Sequence, residues 1–264
     1  MGEELKRAWR APQSWASFVV CVITLMGYSA TYWIGSILAG EWLEYRESAL
    51  HLSLGGIFFG GFMLLLPFCS ALAHSTSQVD DVRSRMIQWE ALRGSVQKYA
   101  CIKAGTCMSA AAVTTASAFI LHAIFWNLIA LPNNPTVYQN HVIYFIEDSF
   151  FYTWYTLCYG LPVYIEMALG IAFTASVWAM VALAIAVWIP DKILTVVIPS
   201  FIYYLWNADV TYWLIGIHSL HPAALFNDGL NAERMIVSII SYSVIWLVSW
   251  SVYYVGCKRR CRHA

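Results

Sequence analysis

Six long apolar stretches divide this chain, and they constrain its fold more than any other feature. They lie at residues 15–38, 52–74, 105–131, 162–189, 192–206 and 235–257. All but the fifth contain the roughly 20 residues that an α-helix needs to cross about 30 Å of hydrocarbon. Charged residues make up only 11% of the chain, whereas a soluble domain averages about 25%. The sequence therefore predicts an all-α, polytopic membrane protein with six transmembrane helices, in a single domain over residues 1–264.

The distribution of Lys and Arg predicts the orientation of these helices. With six spans, every Lys and Arg except Arg46 and Arg234 falls on one side of the membrane. Because basic residues concentrate in cytoplasmic segments, this pattern places both termini in the cytoplasm. We therefore expect a multi-pass protein of the plasma (inner) membrane, embedded in the lipid bilayer and without a nucleic-acid partner.

Three segments outside the spans have their own character. Residues 1–14 combine apolar positions with Lys6 and Arg10, which predicts a short elbow helix lying on the inner leaflet. Residues 132–161 are rich in Tyr, Phe and Trp, which favours short helices in the outer interface. Residues 207–233 contain an apolar piece too short to cross, which predicts a re-entrant or outward-facing hairpin.

A charged insert, residues 75–104, separates the second and third apolar stretches. Its middle part, MIQWEALR (residues 86–93), places Met86, Trp89 and Leu92 at helical spacing, and a Gly-Ser pair then breaks the pattern. A linker needed only for solubility would not require these apolar side chains. Two interpretations stay open at this point: an amphipathic helix resting on the inner leaflet, or a helix presented to a soluble partner.

The order of features around the insert resembles the permease subunits of ABC transporters of the exporter-like type-2 class. In that family a basic elbow helix precedes six spans, and the loop after span two carries an acidic residue, a short coupling helix, an Arg, a Tyr and a Lys. This sequence has, in that order, Asp81, MIQWEALR, Arg93, Tyr99 and Lys103. It departs from the family at Arg85, where relatives often have a glycine.

The resemblance implies a permease that forms a translocation path and works with separate cytoplasmic ABC ATPase subunits. The chain has no GxxxxGK[ST] phosphate loop, so ATP and Mg would be bound by the partner, and this chain would be neither an enzyme nor a cofactor-binding protein. It would pair with a second copy or with a sibling permease. Short outer helices between spans five and six would correspond to residues 207–233. The residues implied in coupling to the ATPase are Met86, Gln88, Trp89, Glu90, Leu92 and Arg93.

Few other residues suggest a specific site. Gly56 and Gly60 have small-xxx-small spacing, which favours close helix packing within the chain or at a permease dimer interface. His218 and His221 could share a helical face, but without a third nearby ligand they predict no metal site. Because the spans carry so few charges, a hydrophobic or amphipathic cargo fits them better than an ion.

Three alternatives to an ABC permease stay open. An intramembrane enzyme would need paired catalytic groups, but the chain has no HExxH motif and no paired acids within the spans. A secondary transporter would need carboxylates near the middle of the bilayer and often has two related halves, and the sequence shows neither. Glu166 lies one turn inside the outer end of the fourth stretch, where it can reach the membrane interface. A receptor or an immunity-type membrane protein would act without transport.

Overall fold

The structure, a computed structural model, describes residues 2–38, 49–58, 61–130, 161–207 and 232–262. Within these ranges every regular element is a helix. The α-helices are α1 (Gly2–Arg10), α2 (Pro12–Leu38), α3 (Ala49–Phe58), α4 (Phe62–Ser70), α5 (Ser77–Arg83), α6 (Met86–Arg93), α7 (Val96–Ile129), α8 (Leu161–Trp188), α9 (Lys192–Asn207) and α10 (Ala232–Arg262), and a π-helical turn covers Ala71–Ser75. The predicted all-α class is confirmed for this part of the chain.

Four of the described helices are long and apolar enough to cross a membrane: α2, α7, α8 and α10. A fifth crossing is possible if the segment Phe62–Ser75 and α5, which meet at a bend of 45°, form one broken span. Helix α9 has 16 residues, which gives it a length of about 24 Å, short of the hydrocarbon thickness. These helices indicate a multi-pass membrane protein, and the count of six spans stays a prediction.

The second apolar stretch is broken where the sequence predicted one continuous helix over residues 52–74. Helix α4 begins after Gly61, whose φ of 70° lies in the left-handed region that glycine adopts without strain. Pro67 then removes one backbone donor inside α4, and the π-helical turn begins four residues later. An apolar run therefore does not guarantee a straight span, because backbone geometry sets the breaks.

Helix α8 is the centre of the bundle. In its most apolar stretch 72% of the residues are buried, compared with 18% in α2. It packs mainly against α7 and α10, and also contacts α9 and α4. Helix α7 has 34 residues, or about 51 Å, so it extends well beyond the hydrocarbon at one end.

Gly56 allows α3 to approach its neighbours closely. A Cβ atom at this position would lie 2.7 Å from the carbonyl oxygen of Leu25 on α2 and 2.8 Å from Nε2 of His122 on α7. The glycine thus sits where three helices of one chain meet. Gly60 and residues 132–160 and 208–231, which form most of the two outer segments, lie outside the described residues.

Several basic residues gather at one end of the bundle, which we call the basic end. It includes Arg7 on α1, Arg83 on α5, Lys103 on α7, Lys192 on α9 and Arg260 on α10, which are linked through the contacts described below. The first helix, the charged insert and the last turns of α10 therefore lie at the same end of the bundle.

Candidate functional site

The insert folds as two short helices, α5 and α6, joined by a turn and followed by a break at Gly94 and Ser95; the sequence predicted the break but not the turn. Ser84 and Arg85 form the turn between α5 and α6, and Arg85 has a φ of 57°. Among the described residues it is the one non-glycine residue with positive φ. Ser95 is the N-cap of α7: its hydroxyl accepts a hydrogen bond of 3.1 Å from the backbone N–H of Lys98. Arg85 is thus held in a left-handed backbone conformation, which glycine adopts more readily than a residue with a Cβ atom.

A buried ion pair joins the insert to α7. Nζ of Lys103 lies 2.6 Å from Oδ2 of Asp81, and the two side chains are only 2% and 8% exposed. Charges removed from water are costly unless they are paired and hydrogen-bonded. The contact therefore makes the position of α5 depend on that of α7.

Hydroxyl groups extend this ion pair into a network. The hydroxyl of Tyr99 lies 2.9 Å from Oδ2 of Asp81 and 3.1 Å from Oε1 of Gln78, and its single proton can serve one acceptor at a time. The hydroxyl of Tyr253 on α10 donates to the same Gln78 oxygen at 3.2 Å. Helices α5, α7 and α10 thus meet through one set of buried polar groups.

The first helix joins this network through Glu4. Its Oε2 atom lies 3.9 Å from Nζ of Lys103 and 4.0 Å from Nε2 of His74, at the outer limit of an ion pair. The imidazole of His74 and the charges of Lys103 and Arg7 lower the pKa of Glu4 from 4.5 to about 2, although partial burial acts in the opposite direction. Glu4 is therefore a carboxylate at neutral pH. We call the whole set the polar network: Glu4, His74, Gln78, Asp81, Tyr99, Lys103 and Tyr253.

Further contacts tie the insert to α8, α9 and α10. Oδ1 of Asp80 lies 2.8 Å from Nζ of Lys192 at the start of α9, and both side chains are about half exposed. Nε of Arg83 donates to the carbonyl oxygen of Pro190 at 3.0 Å, just after α8. Nε2 of Gln88 donates to the carbonyl oxygen of Arg260 at 3.3 Å. The insert therefore contacts the ends of α8, α9 and α10 at the basic end of the bundle.

Helix α6 has an inner and an outer face. Ile87 is buried in a cluster with Ala100, Met180 and Val187 from α7 and α8, and with Cys257 from α10. Trp89 and Met86 are exposed, Trp89 by 60%. Met86 and Trp89, which the sequence placed on the apolar face, are thus exposed, and Ile87 is the residue that packs against the bundle.

A cleft of about 260 Å³ lies between α1, α6 and the start of α7. Glu3, Met86 and Lys98 line it together with Asp81 and Lys103 of the polar network. The cleft therefore lies between α6 and two charged residues of the polar network.

The predicted coupling residues divide into two groups. Met86 and Trp89 are exposed on α6, and Gln88 bonds to α10. The side chains of Glu90, Leu92 and Arg93 lie outside the described part of the structure, although their backbone is helical. Of the three with described side chains, Met86, Gln88 and Trp89, none belongs to the polar network.

Sequence reasoning assigned no site to four of the seven residues of the polar network. Asp81, Tyr99 and Lys103 were noted for their order along the chain, but Glu4, His74, Gln78 and Tyr253 were not assigned to a site. One signal was present: Gln78 and Asp81 are three residues apart and share a helical face. Within the described ranges no three His, Cys, Asp or Glu residues are grouped so as to hold a metal ion, and His218 and His221 lie outside those ranges.

Comparison with known proteins leaves this geometry to be interpreted on its own: no protein-family model, curated protein or solved structure matches the chain.

Proposed function

We propose that this chain is the membrane-spanning permease subunit of an ATP-driven ABC exporter, and that α6 couples it to a separate cytoplasmic ATPase. The observation that carries the proposal is the construction of the insert. A short helix exposes Trp89 on one side, while Gln88 within it and three residues of the preceding helix α5 are bonded to the ends of α7, α8, α9 and α10. This arrangement is suited to collecting a force from outside the bundle and distributing it to the spans.

The transmission of movement follows from the contacts. A push on α6 acts on α10 through Ile87 and Gln88, and on α5 through the short turn at Ser84 and Arg85. From α5 the buried pair of Asp81 and Lys103 carries the displacement to α7, because separating these charges would leave both unpaired in a buried environment. Closure of the ATPase pair would thus tilt α7 and α10 together and change access to a path between two permease subunits.

A helix that only rests on the inner leaflet would not need polar contacts with the other helices of the protein. Such a helix is held by its apolar face and by basic residues near lipid headgroups. Residues flanking Trp89 instead form directed polar contacts with protein groups, such as Gln88 with α10 and Asp80 with Lys192. These contacts favour a partner over lipid as the occupant of the exposed face of α6.

The basic end would face the cytoplasm, where the ATPase and ATP are found. The gathering of Arg7, Arg83, Lys192 and Arg260 at that end supports this orientation through the excess of Lys and Arg in cytoplasmic segments. The complex would contain two permease subunits, either two copies or this chain and a sibling. The apolar spans favour a lipid, a peptide or another amphipathic molecule as cargo.

The proposal is tested by co-expressing this chain with a candidate ATPase encoded beside it and purifying through a tag on this chain. Copurified ATPase and its turnover are measured for the native pair and for the double variant Trp89→Ala, Leu92→Asp. The matched control is Trp15→Ala, because Trp15 is exposed by 61% but lies on α2. The proposal predicts that the double variant loses the ATPase or its stimulated turnover and that the control keeps both. Unchanged association in the double variant would refute coupling through α6.

One observation favours a second candidate, an ion-coupled secondary transporter. Oε2 of Glu166 on α8 is buried and has no hydrogen-bond partner among the described residues. Carboxylates within spans often bind the coupling ion or proton of such transporters. This candidate predicts that Glu166→Gln abolishes transport driven by a proton or sodium gradient in vesicles without any ATPase. The ABC proposal predicts no transport in those vesicles before or after the substitution.

A further inference from the structure

A groove runs between α7 and α8 at the end of the bundle opposite the basic end. Its two ridges are formed by large apolar side chains, four residues apart along each helix, all of them exposed. They are Ile120, Ile124 and Leu128 on α7, and Leu161, Ile165 and Leu169 on α8. The groove has a volume of about 660 Å³. Because the repeat of four follows the α-helical period, each ridge runs along its helix in one row.

Small and buried residues give the groove its depth. Ala123 and Ala168 line its floor, and the buried ring of Phe119 closes the end nearer the middle of the bundle. Larger side chains at the two alanines would fill the space between the ridges. The groove is therefore produced by the choice of residues and is not a general consequence of two helices in contact.

A polar pair marks the other end of the groove. Nδ2 of Asn127 donates to the hydroxyl oxygen of Tyr164 at 3.0 Å and also to the carbonyl oxygen of Ala123 at 2.8 Å. Asn127 is exposed and lies close to the end of α7, and Tyr164 lies close to the start of α8. The groove thus has an apolar body and a polar pair close to the ends of these two helices.

We propose that the groove binds one acyl chain of a phospholipid, with the ester or headgroup region of that lipid at Asn127 and Tyr164. The length supports this occupant: eight residues along each helix correspond to about 12 Å, close to the roughly 15 Å of hydrocarbon in one leaflet. The polarity of the groove matches that of a phospholipid: the apolar body would hold the acyl chain toward the middle of the bilayer, and the polar pair would face the headgroup at its surface.

A helix from a second copy of the chain fits the groove less well. A helix with its side chains is about 10–12 Å wide, so it would rest on the ridges and leave the floor between Ala123 and Ala168 unfilled. An acyl chain is a single row of methylene groups and can reach that floor. The inference does not depend on an ATPase partner and stands or falls separately from the proposed function.

The test uses the full chain in lipid nanodiscs that contain a phospholipid with a diazirine group in its acyl chain. After irradiation, mass spectrometry maps the labelled peptides. We expect labelling around Ala123 and Ala168 to exceed that of other exposed apolar faces, such as the one at Val244 on α10. In Ala168→Phe, which fills the floor, groove labelling should fall by roughly fivefold, the ratio that corresponds to about 1 kcal/mol. The matched control Val244→Phe should leave it unchanged.

A second variant separates lipid binding from a change in packing. Tyr164→Phe keeps the ring but removes the hydroxyl that accepts from Asn127. It should reduce labelling by the phospholipid probe and leave labelling by a diazirine-bearing alkane without a headgroup unchanged. Labelling spread over all exposed apolar faces in proportion to their area, or photoproducts that join two copies of the chain through the groove, would overturn the proposal.

Discussion

The two halves of the insert are both short helices, but they relate to the rest of the molecule in opposite ways. In α5, Gln78, Val79 and Asp81 are buried, and the two polar side chains take part in a network that reaches α7 and α10. In α6, Ile87 packs inward while Met86 and Trp89 are exposed. One half is fixed by buried charges, and the other displays apolar surface.

Under the proposed function, this difference separates the surface on which a partner would act from the contacts that would transmit movement. Exposed aromatic side chains are frequent anchors at protein interfaces, and truncating them costs little folding stability. Buried ion pairs contribute uncertain net stability, but breaking one of them is costly. A substitution at an exposed position of α6 should therefore affect association, and a substitution at a buried position of α5 should affect the fold itself.

The largest expected effect comes from breaking the buried pair. Asp81→Ala leaves Lys103 without its closest partner in a buried site, and should lower the free energy of unfolding by about 3–5 kcal/mol. Because Glu4 lies 3.9 Å from the same ammonium group, we expect the lower end of that range. Denaturant titration in detergent micelles measures the change.

The adjacent aspartate provides the control for this prediction. Asp80→Ala breaks an ion pair with Lys192 in which both partners are about half exposed, so it should cost less than about 1 kcal/mol. The double variant Asp81→Ala, Lys103→Met should recover stability, because it removes both buried charges together. Equal losses for the two aspartate variants would contradict the distinction between the buried and exposed contacts of α5.

The next largest effect distinguishes the buried face of α6 from its exposed face. Ile87→Ala removes a side chain buried against α7, α8 and α10, and should cost about 2–4 kcal/mol of unfolding free energy. Trp89→Ala truncates a larger but exposed side chain and should change stability by no more than about 0.5 kcal/mol. A loss for Trp89→Ala as large as that for Ile87→Ala, measured by the same titration, would mean that Trp89 packs against the protein.

A smaller effect is expected at the turn that joins the two halves. Arg85→Gly should stabilise the protein by up to about 1 kcal/mol, because glycine adopts a φ of 57° without the clash that a Cβ atom causes. Ser84→Gly, one residue earlier with a φ of −82°, relieves no strain and loses a hydrogen bond to the carbonyl oxygen of Asp80, so it should destabilise. Thermal unfolding midpoints of the two variants should thus shift in opposite directions, and a shift of both midpoints downward would contradict strain at Arg85.

The smallest effect concerns pH and the attachment of α1. The pKa of Glu4 is lowered from 4.5 to about 2, so the stability that its charge provides is complete above pH 4.5 and is lost as the pH falls toward 2. Since the side chain is one-third exposed, we expect at most about 1 kcal/mol.

The measurement for Glu4 compares the native protein with Glu4→Gln at several pH values. The native protein should be more stable at pH 7, and the difference should shrink below pH 4.5. Glu3→Gln, at the exposed neighbouring position, is the matched control for the loss of one negative charge. A stability difference that is constant down to pH 2 would show that the charge of Glu4 has no role in holding α1.

Much of the fold followed from patterns that are local in the sequence. The apolar runs predicted α2, α7, α8 and α10, and most of the predicted helix ends lie within a few residues of the observed ones. The Gly-Ser pair at residues 94–95 predicted the break before α7. Hydrophobicity and helix punctuation are properties of short segments, so they can be detected without knowing the fold. The break at Gly61 was missed because apolar residues surround it on both sides.

The candidate site was less predictable because its contacts join residues far apart in the chain. Glu4 approaches Lys103 across almost one hundred positions, and Tyr253 reaches Gln78 across an even longer separation. No periodicity marks such pairs. The inward side chain of α6 was also missed: spacing alone identifies one face of a short helix but not whether it is covered, and Trp89 is exposed while Ile87 is buried.

The central claim is that the exposed face of α6 meets a soluble protein and not lipid, and photo-crosslinking in cells tests it most directly. Trp89 is replaced by benzoylphenylalanine, with the same replacement at Trp15 on α2 as a reference for a side chain of equal exposure. The account predicts that position 89 forms a covalent adduct with an ATPase polypeptide and that position 15 does not. Adducts with lipid alone at both positions would contradict it, and α6 would then be a helix that rests on the membrane.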